Sequence, residues 1–255
     1  MKGVEVPDET AGALRILGWA KTTLLDYPGK VASTLFLEGC NFRCPYCHNP
    51  ELVFFRGENE KEPFKLDDIL SYLHTYSHMI EGVCITGGEP LMQPGTVELC
   101  RKLMRLGLKI KLDTNGSLPD KLEHLLEEDL LDYVAVDVKG PPRKIQTISG
   151  TKIPGTKLVS ALESTVERLR KAGIPHELRT TVVPGLLEPD DLHALGVWMR
   201  GASRFVLQQF RPGKTLDPLF QDLSPHPPQY LRELASSLSV YFAECTVRGI
   251  GHDAG

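Results

Sequence analysis

The sequence lacks any stretch approaching the roughly 20 apolar residues that a membrane-spanning helix needs, so no membrane role is expected. It shows no secretory leader either: residues 1–10 carry Glu5, Asp8 and Glu9 and no apolar run. There is no long run of one charge and no basic patch, and the formal net charge is −4, so nucleic acid is not an expected partner. Internal repeats, low-complexity blocks and domain linkers are missing as well. Such a chain reads as cytoplasmic, where thiols stay reduced. Its six cysteines are therefore expected to be ligands, catalytic groups or buried fillers rather than disulfides.

The 255 residues, 41% of them apolar, are enough for one sizeable core. Short β-branched runs alternate with segments of helical period. Strands are predicted at 33–38, 82–86, 109–113, 133–138, 177–183 and 204–210. Helices are predicted at 66–76, 97–106, 120–128, 158–172, 189–200 and 229–238, with Thr96 as the N-cap of the second. Regular alternation implies parallel strands with helical crossovers. A closed barrel needs eight such units. Six predict an α/β fold of the partial (β/α)6 TIM-like kind, laterally open, with a doubly wound sheet as the alternative. Residues 1–30 read as an N-terminal extension, 31–240 as the partial barrel and 241–255 as a C-terminal tail of a single domain.

Cys40, Cys44 and Cys47 fall within eight residues, just after the first predicted strand, in a loop rich in turn residues. A chance cluster of this kind arises roughly 0.004 times per chain of this composition, so the spacing carries chemistry. Structural zinc with His48 as a fourth ligand is one reading, although no second ligand pair follows at finger spacing. Cys44-Pro-Tyr-Cys47-His48 also matches the haem-attachment pattern, but that leaves Cys40 unexplained. Cys-Pro-Tyr-Cys is similar to a glutaredoxin site, which again leaves Cys40 over. A [4Fe–4S] cluster on three thiolates leaves one iron open for another ligand, the mark of a catalytic rather than a structural centre. Cys84, Cys100 and Cys245 are isolated and read as small buried fillers.

C-x-x-x-C-x-x-C with an aromatic, Tyr46, before the third cysteine resembles the signature of radical S-adenosylmethionine (SAM) enzymes. The segments KTTLLDYPGK (21–30) and LFLEGCNFRCPYCHNP (35–50) resemble the activating enzymes of glycyl-radical enzymes, above all those of anaerobic ribonucleoside-triphosphate reductase. The resemblance implies a [4Fe–4S] cluster on Cys40, Cys44 and Cys47, with SAM chelating the open iron. It implies a partner enzyme that receives a glycyl radical, and reduced flavodoxin or ferredoxin as electron donor. Gly87-Gly88-Glu89-Pro90 resembles the motif that holds the methionine amino group, with glycines that let backbone approach a ligand. Asp113, Thr114 and Asp137 match residues that hold a monovalent cation near the methionine carboxylate, and Lys139 matches a lysine on that carboxylate. Asn115 belongs to the same turn. Arg179 matches an arginine near the cofactor. Arg211 stands where pyruvate formate-lyase activating enzyme has a histidine by the adenine. Tyr46 and His48 flank the third cysteine, a stretch that touches adenine in relatives. Asp26 and Gly29 resemble the segment that faces the glycine loop. All but this last pair are expected to ring one mouth at the C-terminal ends of the strands. A radical enzyme acting on a small molecule of nucleoside type shares these motifs, and a structural zinc module is the reading outside the enzyme class.

Overall fold

The computed structural model describes residues 14–54 and 62–250. Among these residues eight strands form one sheet in chain order: β1 (Ile16–Thr23), β2 (Ala32–Leu37), β3 (Gly82–Gly87), β4 (Lys109–Thr114), β5 (Tyr133–Asp137), β6 (His176–Val182), β7 (Arg204–Gln209) and β8 (Glu244–Arg248). β1 runs antiparallel to β2, and every later pair is parallel. The crossovers carry α1 (Leu66–Thr75), α2 (Thr96–Arg105), α3 (Pro119–Glu127), α4 (Ile145–Ser149), α5 (Gly155–Ala172), α6 (Pro189–Trp198) and α7 (Pro228–Leu238). Every predicted strand and helix is present within a few residues. The end strands β1 and β8 are not neighbours, so the sheet stays open as a partial (β/α)6 barrel. Strand order follows chain order with no reversal, unlike a doubly wound sheet.

Among the described residues two strands and one α-helix were not predicted, besides three short 3₁₀ turns. The extension contributes β1, the tail contributes β8, and α4 lies in the crossover after β5. Thr96 is the first helical residue rather than the cap, and its hydroxyl donates to the carbonyl of Pro90 at 2.6 Å.

The strand period of two splits the sheet into two chemically different faces. One register row, Leu35–Ile85–Leu112–Val134, is wholly aliphatic. It packs in one core with Ile69 and Leu73 of α1, Leu99 and Leu103 of α2, Leu122 of α3, and Leu158 and Leu162 of α5. Each fully buried leucine contributes about 1.5–3 kcal/mol. The neighbouring row, Thr34–Cys84–Lys111–Tyr133, is polar and faces the concave interior. This polar row and the C-terminal strand ends above it form the site.

Candidate active site

The loop carrying the three cysteines leaves a firmly anchored strand end. Glu38 is fully buried and pairs with Arg15 at 2.5 Å. Gln93 donates to the carbonyls of Arg15 and Glu38 at 3.0 and 2.8 Å. The loop is then pinned from three sides. The amides of Gly39 and Cys40 donate to the carbonyls of Leu52 and Val53. The amide of Arg43 donates to Ser149 at the end of α4. The amides of Leu216 and Asp217, in the segment after β7, donate to the carbonyls of Cys47 and Pro45 at 3.1 and 2.9 Å. Gly150, in the left-handed region at φ +57°, lets the α4 end press on this loop: an added Cβ would sit 2.4 Å from the Arg43 carbonyl.

Cys44 is buried, Cys40 and Cys47 are half-buried, and none is in a disulfide. Burial pushes the Cys40 thiol up to about 12 and the Cys44 thiol up to about 11, and raises Cys47 as well. These thiols stay protonated until a strongly cationic partner arrives. Among the described residues no three His, Cys, Asp or Glu side chains are placed to hold one metal ion.

The second loop of the ring is Gly87–Pro90. Gly87 takes φ +125°, and an added Cβ there would lie 2.3 Å from the backbone of Leu37. An added Cβ on Gly88 would lie 2.1 Å from the carbonyl oxygen of Gly39. Gly87 therefore admits the backbone at the end of β2, and Gly88 that of the cysteine loop. Pro90 opens a short 3₁₀ turn, Pro90–Met92. Glu89 is buried and clamps two strand ends: it accepts from the Leu91 amide at 3.1 Å, the Thr114 hydroxyl at 2.8 Å and the Asn115 amide at 2.7 Å. Burial outweighs these bonds and pushes its carboxyl up to about 7. Asn115 donates to the Asn41 side chain at 2.8 Å, and Asn41 donates to Ser117 at 2.7 Å, which ties the cysteine loop to the end of β4.

Behind the loop runs a chain of charges. Lys111, fully buried, pairs with Asp113. Arg179 bonds Asp113 at 2.9 Å and takes both oxygens of Asp137, at 3.1 and 3.0 Å. Lys139 lies 3.6 Å from Asp137. Burial would raise both aspartates, but the neighbouring cations overcome it and hold each carboxyl below the usual range. Burial likewise opposes the charge on Lys139 and Arg179, and the aspartates overcome it, raising both. The field of Lys139 reaches Cys44 and Tyr46, so this array adjoins the cysteine loop. Three cations face two carboxylates, which leaves room for one anionic group.

On the other flank His48 stacks on Phe210 with ring centroids 5.9 Å apart. Burial lowers the His48 pKa, and the charge of Arg211 lowers it further. Arg211 itself is exposed. Asp26 and Gly29 lie apart from this ring. Because β1 is antiparallel to β2, their loop sits at the N-terminal ends of the parallel strands. Asp26 accepts from Thr34 at 2.7 Å, at the foot of the polar row. Cys84 also belongs to that row, its sulfur 3.7 Å from the Lys111 ammonium, so it is not a purely apolar filler. Cys245 is half-buried rather than buried.

Residues 34–195 match the model of the Radical SAM superfamily. The chain belongs to the radical SAM superfamily. It is 30% identical over 238 residues to a Methanocaldococcus jannaschii protein named as a glycyl-radical enzyme activating enzyme, covering 92% of this chain and 96% of that one. It is 29% identical over 195 residues to the Escherichia coli pyruvate formate-lyase 1-activating enzyme, covering 73% of this chain and 75% of the other. Among solved structures, a radical SAM methyltransferase from Sphaerobacter thermophilus superposes with a TM-score of 0.64 at 13% identity, over 88% of this chain and 68% of that one. The chain is therefore an enzyme of the radical SAM type, a superfamily that uses a [4Fe–4S] cluster and SAM.

The residues present suit such a group. Three free thiols share one strand-end loop, the array behind it carries one surplus positive charge, and the Tyr46 hydroxyl is buried with no hydrogen-bond partner. A buried polar atom of that kind calls for a partner from a bound molecule. Sequence reasoning missed the supports of this site: Asn41, Ser117, Ser149, Gly150, the 215–217 segment and Lys111. Only Lys111 had a legible signal, standing two residues before Asp113 and so on the same strand face.

Proposed function

We propose that this chain is an activating enzyme that places a radical on a glycine of a partner enzyme, with anaerobic ribonucleoside-triphosphate reductase as that partner. The observation that carries the reading is the adjacency of three free cysteines in one loop to a buried charge array that can accept an amino-acid carboxylate. Similarity over nearly the whole length to a protein named as an activating enzyme supports it.

Cys40, Cys44 and Cys47 would hold a [4Fe–4S] cluster. When bound, the cluster and SAM together supply a 5′-deoxyadenosyl radical able to take a hydrogen atom from a glycine Cα. The chain's own residues bind and orient. Lys139 and the surplus charge of the array receive the methionine carboxylate, and the Gly87–Pro90 turn with Glu89 receives the amino group. Tyr46, His48 and Arg211 border the adenine side, with His48 braced by Phe210. Asn115 holds the cysteine loop through Asn41, and the 215–217 segment fastens it through Cys47 and Pro45. Asp26 and Gly29 meet the partner's glycine loop from the opposite end of the strands. Reduced flavodoxin or ferredoxin delivers the electron.

The test is anaerobic reconstitution with iron and sulfide. The protein should turn brown and form 5′-deoxyadenosine with dithionite and SAM. Mixed with the reductase, it should give a glycine-centred doublet in electron paramagnetic resonance. A colourless protein that binds one zinc tightly would overturn the enzyme reading. Deoxyadenosine formation without a doublet, across candidate glycyl-radical enzymes, would move the substrate to a small molecule.

A further inference from the structure

The resemblance to activating enzymes assigns Asp113, Thr114 and Asp137 to a monovalent metal cation, and the side-chain arrangement does not fit that assignment. All four carboxylate oxygens already accept from side-chain cations, so the negative charge that a metal cation would neutralise is met within the protein. Asp113 Oδ1 accepts from Lys111 Nζ, and Asp113 Oδ2 accepts from Arg179 at 2.9 Å. Asp137 Oδ1 and Oδ2 accept from Arg179 at 3.1 and 3.0 Å, with Lys139 at 3.6 Å from Oδ2. The Thr114 hydroxyl is committed as well: it donates to Glu89 at 2.8 Å and accepts from the Gly116 amide at 3.1 Å. The three residues that would make the cation's donor set are thus turned to other partners.

Lys111 makes this possible. It rises from the middle of β4, its side chain is 1% exposed, and among the described residues its ammonium bonds Asp113 and Cys84. An ammonium placed where it neutralises a buried carboxylate does the electrostatic work of a metal cation, and its desolvation is met when the chain folds rather than when a ligand binds. We infer that Lys111 is a built-in replacement for the monovalent cation, so that this enzyme binds SAM without sodium or potassium. Arg179 and Lys139 complete the positive wall, and Lys111 acts through Asp113 as a positioning residue.

The inference rests on the proposal that the methionine end of SAM lies against this wall. The test compares SAM affinity of the reconstituted wild-type protein, by equilibrium dialysis, in choline, sodium and potassium chloride at equal ionic strength. The dissociation constants should agree within about twofold. A gain of about tenfold or more with sodium or potassium would overturn the inference while leaving the proposed function standing. Absence of SAM binding in every salt would overturn both. The sodium NMR linewidth offers a readout that needs no turnover: SAM should leave it unchanged in the wild type, and broadening on SAM addition would count against the inference. In Lys111→Met, affinity in choline should fall about tenfold and recover with sodium or potassium. A variant with native iron content and circular dichroism whose affinity is the same in all three salts would remove Lys111 from the role. The wild-type comparison stands whether or not that variant folds.

Discussion

Glu89 is a carboxyl that the fold leaves near neutrality. Its ordinary value is 4.5, and burial, against three hydrogen bonds, carries it to about 7. An acid raised in the folded state favours folding fully below its unfolded value. That contribution is lost as pH rises from about 4.5 to about 7, a change on the order of 3 kcal/mol. Asp113 and Asp137 act in the opposite sense and at lower pH: their contribution is present above the usual carboxylate range and is lost on further acidification. The urea midpoint of the metal-free protein should therefore fall between about pH 5 and pH 8, and Glu89→Gln should flatten that slope. An equal slope in the variant would mean that Glu89 is ionised throughout. Gly88 gives a second residue-scale outcome. An added methyl group would strike the Gly39 carbonyl, which is backbone and cannot swing away. Gly88→Ala should cost about 1–3 kcal/mol and lower iron incorporation together. Full iron loading at unchanged stability would show that the two loops can part.

At the scale of elements, the regular β/α units were readable and the three irregular ones were not, for physical reasons. The six core strands carry aliphatic residues on one face and are bounded by helices with clear apolar stripes, so periodicity finds them. β1 is an edge strand, half-buried along Gly18, Trp19 and Ala20 and exposed at Lys21 and Thr22, and its register is broken twice against β2. β8 has five residues, none of them fully buried. α4 also has five, too few for a period to show. Its value lies in contact: Ser149 accepts from the Arg43 amide at 2.7 Å, and Gly150 turns back under the cysteine loop. Gly150→Ala sets a β-carbon against the Arg43 carbonyl at a left-handed position. It should destabilise by about 1–3 kcal/mol and reduce the iron-to-protein ratio after reconstitution. Wild-type iron retention would demote α4 to a bystander. The candidate site divides along the same line. Cysteine spacing, Gly87–Pro90 and the Asp113, Asp137 and Lys139 set were legible because each lies at the end of a strand of a readable unit, and Arg179 because its motif match falls within the readable strand β6. Lys111 was overlooked because a lysine inside a strand reads as solvent-facing until its neighbours are known.

At the scale of the whole molecule, the two ends of the strands carry different tasks. The cysteine loop, Glu89 and the charge array gather at the C-terminal ends, while the 24–31 turn closes the opposite end with Asp26 bonded to Thr34. Beside Asp26, Leu24 and Leu25 are 72% and 83% exposed, so removing them takes nothing from the core. Under the activating-enzyme proposal, the Leu24→Ser, Leu25→Ser double variant should form 5′-deoxyadenosine at the wild-type rate. With the partner it should yield several-fold less glycyl radical by spin quantitation. An unchanged yield would place the partner's entry elsewhere. Among the described residues no helix is long and apolar enough to cross a membrane.

The clasp from Leu216 and Asp217 onto Cys47 and Pro45 sets a timetable for biosynthesis. Synthesis proceeds from the N-terminus, so the thiol-bearing loop leaves the ribosome about 170 residues before the segment that fastens it, a delay of roughly ten to thirty seconds at ordinary translation speeds. Through that interval the sulfur trio has no lid and meets oxidants and iron donors alike. Exclusion of oxygen would then protect the nascent polypeptide as much as the finished catalyst.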